Sequence, residues 1–472
     1  MKPSFITMLV VAVVAMHGCA PPVVWETEIP SGFEGSPTYC DLDGDGLREA
    51  VVPVAPTDHP ELSFLQVVNP LTGEALFRSE DGAASFAYPL CVDVDRDGIL
   101  DLITGGRTRD IVALSGADGT RLWAASALHP DFPFANTYTA VATRADYFVV
   151  TTGGGTPAGE PDRYPGHLLV MGRDGALLAE WEEPNQVEVY SSPAILERED
   201  GTNLIAVGSG GEELAGNLYL LAYDPLSNEI REVAAAPSGC DSGGFISSPT
   251  FGDIDGDGEP EVVGTDWCGQ VIALSLEGEV LWTATTSHPY TTGNPLLSDL
   301  DNDGIFDVVV TSGEFNWSLM ETWGNRASSV AALSGLSGEA LWNIEVEKYL
   351  WASPVSADYN GDFVEDVWVI GADIADDFGT PPPSPLFVLD GRSGETLLSV
   401  ESFSAMGTPL LDDIDGNGTL DLLIMDAPFS ATAFGTGFVP GTLSLIEFPG
   451  VPFDAGASFS GFRGPAHDGY RR

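Results

Sequence analysis

Six short stretches of the chain repeat one arrangement of oxygen donors. The first places Asp41, Asp43 and Asp45 at alternate positions, then Gly46, Leu47 and, at position nine, Glu49. The spacing returns as Asp93, Asp95, Asp97, Ile99 and Asp101, then as Asp253, Asp255, Asp257, Glu259 and Glu261. A fourth copy reads Asp299, Asp301, Asp303, Ile305 and Asp307. Two more carry one amide each: Asp358, Asn360, Asp362, Val364 and Asp366, and Asp413, Asp415, Asn417, Thr419 and Asp421. Calcium takes about six to eight hard oxygen ligands in a flexible shell, and alternate residues of a tight loop can turn inward together. Position seven can then offer its carbonyl, position nine can bind through both oxygens, and glycine at position six permits the sharp turn. In the fifth copy Phe363 stands where that glycine belongs. Without a cation, carboxylates so close together repel one another. One such loop reads equally as a solvated acidic turn; six at the same place in successive repeats read as about six calcium sites.

The repeat is marked by a proline four residues ahead of each loop: Pro37, Pro89, Pro249, Pro295, Pro354 and Pro409, with Pro193 ahead of a degenerate copy. One interval is double, and Tyr138 to Val150 fills it with strand-like sequence, which makes eight units. Unit three lacks the loop. Unit four (Glu197, Glu199, Gly201, Ile205) keeps its length without the ligands, so neither is expected to hold calcium. Each unit has the same plan, as in Ser248–Gly252, the acidic loop, Glu261–Gly264, Val271–Leu274, a glycine turn and a last strand ending at Trp282. Four short antiparallel strands per unit, eight times over, predict an all-β fold: a single eight-bladed β-propeller. Proline at a strand's first residue costs no ladder hydrogen bond. The blades are expected near 33–80, 85–128, 136–183, 188–236, 245–287, 292–346, 350–402 and 405–448, with 449–472 as a tail. Residues 23–30, containing Trp25, are expected to supply the last blade's missing strand and close the ring.

The composition fits: 55 Gly and 34 Pro suit many tight turns. A formal charge of −53 excludes nucleic acid and anionic lipid surfaces as electrostatic partners. Residues 1–18 read as a targeting segment, with an apolar run from Phe5 to Met16 too short to span a bilayer. Their end, Gly18-Cys19, resembles a bacterial lipoprotein signal, which implies lipidation of Cys19 and a short tether at 19–22. Met16 and His17 depart from that pattern and leave an ordinary secretory signal as the alternative; Ala20 favours the outer membrane or cell surface. Four cysteines remain for an oxidising compartment. The blade geometry pairs Cys240 with Cys268 within unit five, and Cys40 with Cys91 across neighbouring inner strands.

The Asp-x-Asp-x-Asp-Gly-x-x-Asp loops resemble the FG-GAP or VCBS repeats of integrin-α-type propellers. The turns between third and fourth strands resemble a second family, the quinoprotein (PQQ-like) propellers. Ala113-x-Ser115-x-x-Asp118-Gly119-x-x-x-Trp123 and Ala332-x-Ser334-x-x-Ser337-Gly338-x-x-x-Trp342 carry that spacing, with degenerate copies at 67–77 and 388–398. Phe462-Arg463-Gly464 resembles a flanking motif of the same families. Both resemblances imply a propeller, and both families host unrelated functions.

No catalytic residues are expected: no Ser-His-Asp order, phosphate-binding glycine loop or zinc spacing stands out. His129-Pro130 and His288-Pro289 occupy equivalent connections and read as repeat ancestry. Strands running up, down, up and down put the acidic loops and glycine turns on one face of the ring. The long connections collect on the other. That insertion face carries Tyr164, Phe315, Trp317, Trp323, Trp351 and Phe378, and is expected to bind a protein or glycan or to cap its own channel. The leading reading is therefore a non-enzymatic recognition module, touching the membrane through its N-terminal lipid alone. A periplasmic scaffold for outer-membrane assembly and a quinoprotein-type oxidoreductase are the alternatives.

Overall fold

The computed structural model describes residues 21–29, 36–54, 64–81, 88–106, 110–132, 137–142, 146–154, 164–314, 327–371, 384–403, 407–426 and 441–453. Residues 1–18 and Cys19 lie outside them, as do Phe315, Trp317, Trp323, Phe378 and the motif at 462–464. The described chain forms strands β1 to β32 and one short helix, grouped as eight four-stranded sheets. Seven sheets take four consecutive strands. Blade five, for instance, is β18 (Thr250–Gly252), β19 (Glu261–Thr265), β20 (Gln270–Leu274) and β21 (Val280–Thr285), all antiparallel. The eighth sheet is made from both ends of the described chain. Its order is β1 (Val23–Ile29), β32 (Gly441–Pro452), β31 (Thr419–Asp426) and β30 (Leu410–Asp412). The ring is an eight-bladed propeller closed by its N-terminal strand. The third strand of that blade runs to Pro452, four residues beyond the limit expected from sequence, because Thr419 pairs with Pro452 past a bulge.

The sequence period explains the radial order. Inner strands are buried on both sides, as in Asp307–Gly313, and read as unbroken small or branched runs. Outer strands alternate, as in Ala340–Val346 with Trp342 and Val346 buried, because only one side meets a neighbouring blade. The core is eight separate apolar layers, one in each gap between adjacent blades. The layer between blades eight and one (Trp25, Tyr39, Val52, Leu410, Leu423, Leu445) is as complete as the others.

Tryptophan pegs fasten successive blades. The indole N–H of Trp342 donates to Gly391 O (2.7 Å), Trp282 to Gly335 O (2.6 Å), Trp123 to Arg173 O (2.8 Å) and Trp25 to Pro70 O (2.9 Å). Under the rings of Trp25, Trp282 and Trp342 sit Gly73, Gly338 and Gly394 of the following blade, all at positive φ, where a Cβ would strike the indole. The seam is thus locked by the same device as the continuous gaps.

A second set of contacts runs round the inner edge. From blade five round to blade one, the residue before the repeat proline donates its N–H to the side chain of its counterpart in the next blade: Ser248 to Asn294 Oδ1 (2.7 Å), Asn294 to Ser353 Oγ (3.0 Å), Ser353 to Thr408 Oγ1 (3.1 Å) and Thr408 to Ser36 Oγ (2.8 Å). The relay crosses the seam without a break. Both expected disulfides are present, Cys40–Cys91 joining blades one and two and Cys240–Cys268 within blade five, with Cα separations of 6.0 and 6.3 Å.

Candidate metal centre

Every acidic loop links the first strand of a blade to its second, so position one follows a buried inner strand and position nine opens the next strand, or in blade eight stands third in it. The loops are shaped by their own carboxylates. In blade five Asp253 accepts the N–H groups of Gly256 (2.7 Å) and Gly258 (3.0 Å), Asp255 that of Asp257 (3.1 Å), and Asp257 that of Glu259 (2.8 Å). Blade one repeats the set with Asp41, Asp43 and Asp45. Position six is at positive φ in all six loops, which glycine adopts freely. Phe363 holds the same left-handed conformation at φ 68° with its ring 91% exposed. Strain without packing makes Phe363→Gly a stabilising change of about 1 kcal/mol, read as a higher urea midpoint. A lower midpoint would mean that the ring has a contact worth more than its strain.

Position nine also serves the backbone. Its carboxylate turns inward, and one oxygen accepts the N–H of position two: Leu42 to Glu49 (2.7 Å), Val94 to Asp101 (2.8 Å), Ile254 to Glu261 (2.9 Å), Leu300 to Asp307 (3.1 Å), Tyr359 to Asp366 (2.9 Å) and Ile414 to Asp421 (2.9 Å). In blades two, six and seven the other oxygen takes the N–H of Gly116, Gly335 or Gly391 from the turn between third and fourth strands. A Cβ on any of these three glycines would run into the position-eight carbonyl of Leu100, Phe306 or Glu365. Position nine thus carries a structural bond to its own loop, and its remaining lone pairs can face a cation.

Five of the six loops bring three carboxylates within 4.8 Å of one another. These are Asp41, Asp43 and Asp45; Asp93, Asp95 and Asp101; Asp253, Asp255 and Glu261; Asp299, Asp301 and Asp303; and Asp413, Asp415 and Asp421. Asp97, Asp257 and position nine of the first and fourth copies stay outside these groups, as does Asn417, which donates to Asp415 Oδ2 (2.9 Å). The fifth copy forms no such group, since Asn360 supplies an amide where its sisters carry a carboxylate. The main-chain carbonyls of Leu47, Ile99, Glu259, Ile305, Val364 and Thr419 stand at position seven, each with its N–H tied to the position-five oxygen.

The donors fit a hard cation. All are oxygens, and three are buried without any hydrogen-bond partner: Asp93 Oδ1, Asp413 Oδ1 and Asp421 Oδ1. Asp421 itself is fully buried. An unpaired carboxylate oxygen in that position is costly unless a positive charge meets it. Burial, reinforced by the neighbouring loop carboxylates and partly offset by N–H bonds, pushes Glu261, Asp307, Asp366 and Asp421 up to about 7. Blades three and four are built otherwise. Asp146 of blade three pairs with Arg96 (2.8 Å) and lies 3.7 Å from Arg173 Nε, so guanidinium groups supply the positive charge there. In blade four Asp200 closes a tight turn on Thr202.

No protein-family model matches the chain, and no curated protein does. Solved structures do. A quinohemoprotein alcohol dehydrogenase from Comamonas testosteroni superposes with a TM-score of 0.57 at 12% identity, over 92% of this chain and 78% of that one. The V. cholerae biofilm matrix protein Bap1 gives 0.55 at 13%, over 92% of each chain. BamB from Moraxella catarrhalis gives 0.52 at 13%, over 92% of this chain and all of that one. Likeness at such identities is a likeness of fold, and it agrees with the quinoprotein-type spacing of the tryptophan turns.

On the opposite face the connections carry aromatic pairs. Trp267 and Tyr290 lie 4.9 Å apart between ring centroids, Tyr349 and Trp351 5.8 Å, and Phe132 packs on His167 at 5.2 Å. Tyr164 and Trp351 are half-buried. One partner of each pair is buried (Trp267, Tyr349, His167) and the other is partly exposed. Tyr290 does so at φ 69°, a left-handed conformation that tyrosine seldom adopts.

Proposed function

We propose that the chain is an exported, lipid-anchored, calcium-stabilised propeller that binds a protein or glycan through its insertion face and catalyses no reaction. The orphaned oxygens of Asp413 and Asp421 support the calcium. The observation that carries the binding role is Tyr290: a half-exposed aromatic held in a strained conformation by its N–H bond to Trp267 O (2.8 Å), on a ring too rigid to relax it. Strained residues persist where the surroundings over-determine them, and they cluster at functional surfaces. Amphipathic aromatics with one sunk edge are efficient anchors for protein and sugar ligands alike.

The test is a glycan array and a cell-binding assay with the calcium-loaded protein. Tyr290→Ala and Trp351→Ala are expected to weaken the ligand so found by tenfold or more while leaving the calcium content unchanged. Binding that survives both substitutions would remove the insertion face from the account. Protease treatment of intact cells then places the protein: cleavage fits recognition at the surface, and protection fits the periplasmic scaffold.

A further inference from the structure

The six acidic loops are neighbours. Counted round the closed ring they occupy blades five, six, seven, eight, one and two without a gap. Position eight is the residue that touches the loop behind. In blade six the N–H of Phe306 donates to the carbonyl of Asp253, position one of blade five (3.3 Å). In blade seven Glu365 Oε2 accepts the hydroxyl of Ser298, the residue just ahead of position one in blade six (2.5 Å). Leu420 of blade eight shares an apolar layer with Ala357, which has the same place in blade seven, and Leu100 of blade two shares one with Cys40 of blade one.

At the seam this contact is an ion pair, Arg48 of blade one on Asp412 of blade eight. Asp412 Oδ2 accepts from Arg48 Nη2, and Asp412 Oδ1 accepts the N–H of Asp413 (2.9 Å), which is position one of blade eight. The guanidinium lies over the ring of Tyr39, 5.6 Å from its centroid. In the chain Arg48 stands between Leu47, the position-seven carbonyl, and Glu49, position nine. The pair therefore grips the backbone of candidate ligand residues on both sides of the seam. Asp413 is also one of the ligands with a buried oxygen that nothing in the fold satisfies.

We propose that Arg48 and Asp412 are positioning residues that couple the cation sites of blades one and eight, so that filling either site raises the affinity of the other. The proposal rests on the calcium reading above. A cation in blade eight fixes Asp413, whose N–H fixes Asp412, and Asp412 in turn holds the guanidinium set between Leu47 and Glu49. Order imposed by the first ion need not be imposed again by the second, and the coupling is the same in both directions. The pair is neutral as a whole, so it adds no net charge between the two ions.

The test follows backbone hydrogen exchange of the full chain by mass spectrometry while calcium is titrated. Protection of segments 41–49, 413–421 and, three blades from blade eight, 253–261 gives a calcium midpoint for each loop. Asp415→Ala, which disables the blade-eight site, is expected to move the 41–49 midpoint to about fivefold higher calcium and to leave that of 253–261 in place. In Asp412→Asn, which keeps the side chain's shape and removes its charge, the 41–49 midpoint is expected to be raised already, and adding Asp415→Ala moves it no further. A 41–49 midpoint unmoved by Asp415→Ala overturns the coupling and leaves the calcium sites standing. A shift that persists in full in the Asp412→Asn background overturns the role of the ion pair. An unsubstituted chain with no calcium-dependent protection in any of the three segments overturns the cation reading, and the coupling falls with it.

Discussion

Stripping calcium from the purified protein with a chelator is expected to lower its thermal midpoint by about 10–20 °C. Each site filled at a hundred times its dissociation constant adds about 2.7 kcal/mol to the folded state, and several sites add in proportion when they are independent. About 10 kcal/mol over a chain of this size corresponds to a shift of that order. The loss should also depend on pH, with a definite sign. In the cation-free fold Glu261, Asp307, Asp366 and Asp421 titrate near 7, raised by burial, whereas in the unfolded chain such groups titrate near 4. Between those values the folded state holds protons that the unfolded state has released, so the stability of the chelated protein falls as pH rises from about 4 to about 7. With calcium present the carboxylates are ionised against the cation, and that decline should vanish. Melting curves at pH 5, 6, 7 and 8, with calcium and with chelator, show both effects. A chelated protein whose midpoint is flat or rising over this range would mean that the buried acids are paired in some other way.

The second large effect is expected at the seam. Trp25→Ala removes a nearly buried indole, its bond to Pro70 O and its contact with Gly73, for a loss of about 3–5 kcal/mol in urea denaturation. Trp342→Ala makes the same local change between blades joined by the chain, and serves as the reference. At the seam, β1 is held to blade eight by its ladder with β32 and to blade one through Trp25, Thr27 and the apolar layer. A variant that frees β1 also exposes the edge of β32, so Trp25→Ala should aggregate on heating where Trp342→Ala refolds. A cost below about 1 kcal/mol would show that ring closure does not depend on the N-terminal strand.

Most of this fold was legible in the residues because it is a repeat. The proline spacing located the inner strands, the Gly-x-x-x-Trp turns located the outer ones, and Trp25 without a blade of its own announced the closing strand. The Cys240–Cys268 pairing followed from a shared face of one blade, and Cys40–Cys91 from their places on neighbouring inner strands. Two devices escaped notice. The hydroxyl or amide before five of the prolines (Ser36, Ser248, Asn294, Ser353, Thr408) was visible, yet nothing in one unit shows that it joins a relay of N–H bonds to the counterpart in the next. The glycines at 116, 335 and 391 were visible too, but their task depends on a turn crossing a loop distant in sequence. A loop read in isolation also leaves its last carboxylate without a backbone partner, whereas the folded blade supplies the N–H of position two in all six loops and a turn N–H in blades two, six and seven.

The central claim is that the acidic loops are cation sites, and elemental analysis of the purified, dialysed protein tests it most directly. About five calcium ions per chain are expected from the grouped carboxylates, or about six if the fifth copy binds through Asn360. None or one would make the loops solvated turns closed by their own N–H bonds, and would leave the propeller standing without its metal.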